Sequence, residues 1–176
     1  MCAVKNLLAL PSETVTTDVQ ASVELSPLTS EPRPISEWTT NFHLAIVALD
    51  PYTNESSWII DTALRILRNY TEADVRIALL VTAPEDEVRQ YVGPLAEEIL
   101  VFADPDRAAV TAFGLETLPA FVHINQAHQV EAFAQGWTPQ DWAAVAANLS
   151  ARMDWTVPQI PDVGDPSPFT GTPARG

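Results

Sequence analysis

Catalysis needs a nucleophile, a proton carrier or a set of metal ligands, and this chain offers few of each. It has one cysteine, Cys2, in 176 residues. An intrachain disulfide, a thiolate zinc cluster and a CxxC pair are therefore excluded. Ser56 or Ser57, Asp50 and one of His43, His123 and His128 supply the residue types of a serine hydrolase. No G-x-S-x-G elbow accompanies them. The three histidines lack H-x-x-x-H spacing and the acids are dispersed over helix starts, so no metal site is expected. Glu85-Asp86-Glu87, Asp104 and Asp106 read as solvated first-turn acids. The six glycines form no GxGxxG or GxxxxGK run, so no phosphate loop and no cofactor are expected.

Charge narrows the partners. Nine Lys+Arg stand against 23 Asp+Glu, a net charge of −14. Such a chain repels phosphate backbones and anionic lipid, which disfavours nucleic acid and membrane surfaces as partners. No apolar run approaches the ~18 residues of a spanning helix. Lys5 precedes Leu7–Leu10, but Pro11 and Glu13 end that run too early for an export signal, so a cytoplasmic location is expected. One Lys against eight Arg, with abundant alanine, suggests a GC-rich bacterial source.

The elements that must position any site are legible. With 47% hydrophobic and 18% charged residues, the chain can bury a sizeable core. Residues 1–40, rich in Ser, Thr, Pro and Glu, read as an irregular arm with at most one short strand. His43–Leu49 is a short apolar run ended by Asp50-Pro51 and predicts a strand. A helix is expected near Ser56–Arg68, with Thr53 or Asn54 as its cap. Strands at Val75–Val81 and Ile99–Phe102 alternate with a helix opened by Pro84 and another capped by Asp104. Phe121–Ile124 and Gln129–Ala134 read as a hairpin, broken by Gly136. Thr138-Pro139-Gln140-Asp141 starts a last helix, whose Trp142, Val145, Ala146, Leu149 and Met153 share one face. The order β-α-β-α-β-α-β-β-α implies parallel crossovers and one terminal antiparallel pair in a mixed sheet. The expected organisation is an arm over 1–40, one α/β domain over 41–154 and a Pro-rich tail over 155–176.

Two segments resemble a known family. ADPDRAAVTAFGLETLPAFVHI and QVEAFAQGWTPQDWAAVAANL look like the C-terminal half of the thioredoxin-like fold, as in peroxiredoxins and thiol reductases. His43–Arg68 fits the preceding half. The resemblance implies an α/β three-layer sandwich with a mixed central sheet, a C-terminal hairpin and a final helix. It also implies a cis bond between Leu118 and Pro119, beside the redox position. The family places its cysteines at the start of the helix after the first strand, where the dipole stabilises a thiolate. Here that place reads Asp50-Pro51-Tyr52-Thr53-Asn54-Glu55-Ser56-Ser57-Trp58. Thr53 stands three before Ser56, so Ser56 or Ser57 takes the sulfur position. A hydroxyl cannot carry out thiol–disulfide exchange.

The resemblance makes a binding cleft of Tyr52, Thr53, Asn54, Ser56, Ser57, Trp58, Leu118 and Pro119. A helix start and a free backbone edge remain there after the cysteines are gone. The plainer alternative is that Thr53, Asn54 and Ser56 only cap the helix. The function expected is a redox-inactive module for an unidentified protein or peptide. An accessory oxidoreductase of peroxiredoxin type, using Cys2 or a partner's thiol, is the alternative. In the tail, Trp155, Ile160, Val163 and Phe169 interleave with prolines. The tail is expected to pack on its own domain as a strap, rather than dock elsewhere as a polyproline segment.

Overall fold

The computed structural model describes residues 16–176; Cys2 and Leu7–Leu10 lie outside them. Over the described residues 16–42 the chain holds more regular structure than the irregular arm expected of 1–40. Thr17–Asp18 (β1), Glu24–Pro27 (β2) and Arg33–Pro34 (β3) are strands, and Ile35–Trp38 (α1) is one helical turn. Val19, Leu25, Leu28, Ile35 and Trp38 are buried. These strands are two to four residues long, too short to show a period of two.

The α/β run follows the expected order. It comprises His43–Leu49 (β4), Asn54–Arg68 (α2), Val75–Val81 (β5), Glu85–Val92 (α3) and Leu95–Glu98 (α4). Leu100–Ala103 (β6), Ala108–Ala112 (α5), Thr117–Leu118 (β7), Ala120–Ile124 (β8), Gln129–Gln135 (β9) and Pro139–Met153 (α6) complete it, and the tail adds Thr172–Pro173 (β10). Eight strands form one sheet in the order β1-β9-β8-β4-β5-β6-β2-β3. β4, β5 and β6 are parallel, while β8 runs antiparallel to β4 and β9 antiparallel to β8.

β4 is buried on both faces, as a central strand between two helical layers must be. Ala45, Val47 and Leu49 pack with Ile59, Ala63, Ile66, Trp142 and Leu149 of α2 and α6. Leu44, Ile46 and Ala48 face Ile35, Phe102, Val110 and Phe113 on the other side. The result is a three-layer mixed α/β sandwich.

Two local expectations change. Asp104 does not start a helix at Pro105. Arg107 takes the N-cap position of α5 in a left-handed conformation, φ 59°. Asp104 is buried, not solvated, and its carboxylate accepts the N–H groups of Ala109 and Val110 at 3.1 Å each.

The tail straps the domain. The Trp155 indole donates to the Asn69 carbonyl at 2.7 Å, and the Asn69 amide donates to that of Thr156 at 2.9 Å. Asp165 pairs with Arg65 at 2.8 Å and accepts the Thr62 hydroxyl at 2.8 Å. Trp137 donates its indole N–H to the Pro166 carbonyl and exchanges backbone bonds with Phe169. β10 then pairs antiparallel with β7, Thr172 opposite Leu118. Ile160 and Phe169 pack on the core and Ala174 is fully buried, whereas Val163 is 99% exposed.

Candidate functional site

The loop after β4 is held by its own polar groups. Asp50 is buried, and its carboxylate accepts the Tyr52 N–H at 3.0 Å and pairs with Arg107 at 3.0 Å. The Ser56 hydroxyl oxygen, fully buried, accepts the Asp50 N–H at 2.8 Å. Thr53 stands at the N-cap of α2 with no side-chain cap, and its hydroxyl donates to the Asp50 carbonyl at 2.8 Å. The capping expected of Thr53 or Asn54 is therefore replaced by a loop lock in which Ser56 serves the backbone. Its oxygen is committed to that lock.

Of the eight residues expected to line a cleft, Leu118, Pro119 and Ser56 are buried. The Leu118–Pro119 bond is cis. Tyr52, Asn54, Ser57 and Trp58 are exposed, and Thr53 is partly so. Trp58 meets Phe169 of the tail edge-on, at 5.7 Å between ring centres. The edge beside Leu118 is the one β10 occupies. On the far side of Tyr52 remains a shallow depression of about 280 Å³, lined by Pro51, Tyr52, Glu87, Gln90 and Tyr91. The Tyr52 hydroxyl donates to Glu87 there. Burial pushes the Tyr91 phenol above its ordinary pKa, against the pull of the Ser57 hydroxyl.

The histidines divide. His128 sits in the β8–β9 turn, its Nδ1 2.8 Å from the Thr39 hydroxyl. His43 and His123 meet nitrogen to nitrogen, His43 Nδ1 2.8 Å from His123 Nε2, with ring centres 5.0 Å apart. His43 starts β4 and His123 lies beside it near the end of β8, roughly 20 Å from Asp50 beyond the other end of β4, so these histidines form no triad with Asp50 and Ser56 or Ser57. Glu131 joins them: one ligand atom from each of His43, His123 and Glu131 lies within 4.8 Å of the others. Two histidines without H-x-x-x-H spacing thus meet an acid that lies on a strand and not at a helix start. Burial pushes both imidazoles below their ordinary pKa. It also pushes Glu131 up, but the Asn125 hydrogen bond, with His123 and Arg152, holds that carboxyl below its usual value.

Sequence spacing misses this cluster because 80 residues separate His43 from His123. A β-bulge does the rest. His123 pairs with Ala132 but Ile124 pairs with Val130, so Glu131 is the extra residue. Counting alternately from buried Ala134 puts Glu131 on the opposite face from His123; the bulge returns it to the same face. The signal available in the sequence was the antiparallel pairing of the hairpin, which brings 123 close to 131.

No protein-family model and no curated protein matches this chain. Solved structures do. A hypothetical protein from Sinorhizobium meliloti superposes with a TM-score of 0.65 at 11% identity, covering 91% of this chain and 93% of its own. A DsbF homologue from Corynebacterium diphtheriae gives 0.59 at 12% identity over 78% and 90%. The exposed lipoprotein thioredoxin of Streptococcus pneumoniae gives 0.58 at 13% identity over 73% and 98%. At these identities the likeness is one of fold. The architecture is thioredoxin-like, and the chain's single cysteine is not at the family's redox position.

Proposed function

We propose that this chain is a thioredoxin-like domain without thiol redox chemistry that binds an extended peptide segment of a protein partner along β7. One observation carries the reading: β10 of the chain's own tail lies antiparallel on that edge. An edge that accepts one extended strand through main-chain bonds is built to accept another. The tail also indicates what such a segment must look like. An aromatic residue meets Trp58 edge-on while its backbone pairs with that of Trp137, as Phe169 does. Two residues on, only glycine fits, because a Cβ at Gly171 would lie 2.5 Å from the Leu118 carbonyl oxygen. Ala174 then fills a closed slot and its N–H donates to the Glu116 carbonyl at 2.8 Å. At the helix start the Ser56 oxygen is buried and bonded to the Asp50 N–H.

The test uses the chain ending at Asp165 and a labelled peptide of residues 167–176. The shortened chain should bind this peptide saturably, and the full chain at least ten-fold more weakly. Random-peptide display on the shortened chain should enrich an aromatic residue followed two positions on by glycine. A folded shortened chain that binds neither would overturn the reading. So would insulin-disulfide reduction by the full chain that Cys2→Ser abolishes.

A further inference from the structure

We infer that His43, His123 and Glu131 bind one zinc-class divalent cation at the pole of the sheet opposite the degenerate redox position. The three side chains come from adjacent strands β4, β8 and β9, so rigid backbone fixes their spacing. The two imidazole nitrogens are 2.8 Å apart and every ligand atom lies within 4.8 Å of the others. Tetrahedral zinc with Zn–N bonds of about 2.0–2.1 Å needs nitrogens about 3.3 Å apart. The histidine pair must therefore open by about half an ångström and the Glu131 carboxylate draw in from within 4.8 Å, both by side-chain rotation.

The surroundings orient each ligand. His123 Nδ1 lies 2.6 Å from the Asn148 side-chain oxygen, which can only accept, so that nitrogen carries the proton. The Nε2 lone pair of His123 then faces His43. In the metal-free protein His43 Nδ1–H donates to it. A shift of His43 to its other neutral tautomer turns a second lone pair inward, with no net proton released. Glu131 is held by Asn125 at 3.2 Å, by Asn148 at 3.4 Å and by Arg152 at 2.8 Å. Partners of this kind behind metal ligands set tautomer and orientation. His123 is fully buried, while His43 and Glu131 are partly exposed, so a cation can enter from the solvent side. Two imidazoles and a carboxylate suit zinc, whereas calcium and magnesium require more oxygen ligands than this site holds. Three protein ligands leave a fourth position for water or a partner's side chain.

Arg152 makes the idea specific. Its guanidinium pairs with Glu131 and its side chain is 52% exposed, so the like charge of a bound cation favours its swinging into solvent. The experiment titrates the chelator-stripped full chain, carrying Cys2→Ser, with zinc by calorimetry and with cobalt by visible absorption. One-to-one binding with tetrahedral cobalt bands is expected. His43→Gln should weaken it at least 100-fold, Asn148→Ala about 10–100-fold, and Arg152→Ala should tighten it. His43 is the leading variant because it is partly exposed and need not unfold the core; His123→Gln is read only with a native circular-dichroism spectrum. No saturable binding, or binding that His43→Gln leaves unchanged, overturns the proposal. Weaker binding in Arg152→Ala overturns the displacement of that side chain.

Discussion

The Ser56 hydroxyl at the start of α2 is structural: its oxygen, itself buried, is the acceptor for the Asp50 N–H. Ser56→Ala leaves that donor unpaired and should cost about 1–3 kcal/mol by denaturant unfolding. A buried thiol there would be inert: Ser56→Cys should react with a thiol reagent at the rate of unfolding, whereas exposed Ser57→Cys reacts at once. Cys2→Ser is the background for both. Tyr70 offers a second check. Its phenol is fully buried, donates to the Ala146 carbonyl at 3.0 Å and lies 2.7 Å from the Ser150 hydroxyl. Burial raises its pKa, the Ser150 hydroxyl only partly offsetting this. A pKa raised on folding means the native state holds the proton longer than the unfolded chain. This stability is complete below about pH 10 and is lost as pH rises through the folded value. Alkaline unfolding should therefore coincide with tyrosinate absorbance, and Tyr70→Phe should remove that step at about 1 kcal/mol in neutral stability.

At the scale of elements, two glycines join the tail to the sheet. Gly136 has φ 67°, and a Cβ on it would stand 2.3 Å from the Thr170 carbonyl oxygen. Gly171 has φ 90°, and a Cβ on it would stand 2.5 Å from the Leu118 carbonyl oxygen. Gly171→Ala should peel β10 from β7 while leaving the rest of the sheet intact. The measurement is limited proteolysis with amide exchange. Cleavage beyond residue 165 should accelerate at least ten-fold, with β4 and β5 protection unchanged. Global unfolding instead would show that the tail and the sandwich are one cooperative unit.

For the whole molecule, the tail is a second set of contacts laid across α2, Trp137 and β7. Deleting residues 157–176 removes the Arg65–Asp165 pair, the Trp137–Phe169 bridge and the burial of Ile160, Phe169 and Ala174. The partly buried apolar groups support a loss on the order of 2–4 kcal/mol. The melting temperature should fall by about 5–15 °C. An unchanged melting temperature would mean the strap contributes no net stability. A charge of −14 adds self-repulsion, so the melting temperature of the full chain should also rise with salt.

The alternation of β4, β5, β6 and β8 with their helices was legible in the residues, because each strand is a run of buried apolar side chains between turn residues. So were the hairpin and the α6 face carrying Trp142, Val145 and Leu149. Those patterns are local, and a local period identifies an element by itself. The absence of a cysteine at the helix start is likewise a fact of sequence. Tertiary structure decided the rest. β1–β3 are strands only because β9 and β6 offer them edges. β10 lies on β7 because two glycines permit the approach. His43, His123 and Glu131 meet because strand pairing brings distant positions together and a bulge overrides the alternation that would turn Glu131 away. Contacts between residues 80 apart follow from the register of strands, which no window along the chain contains.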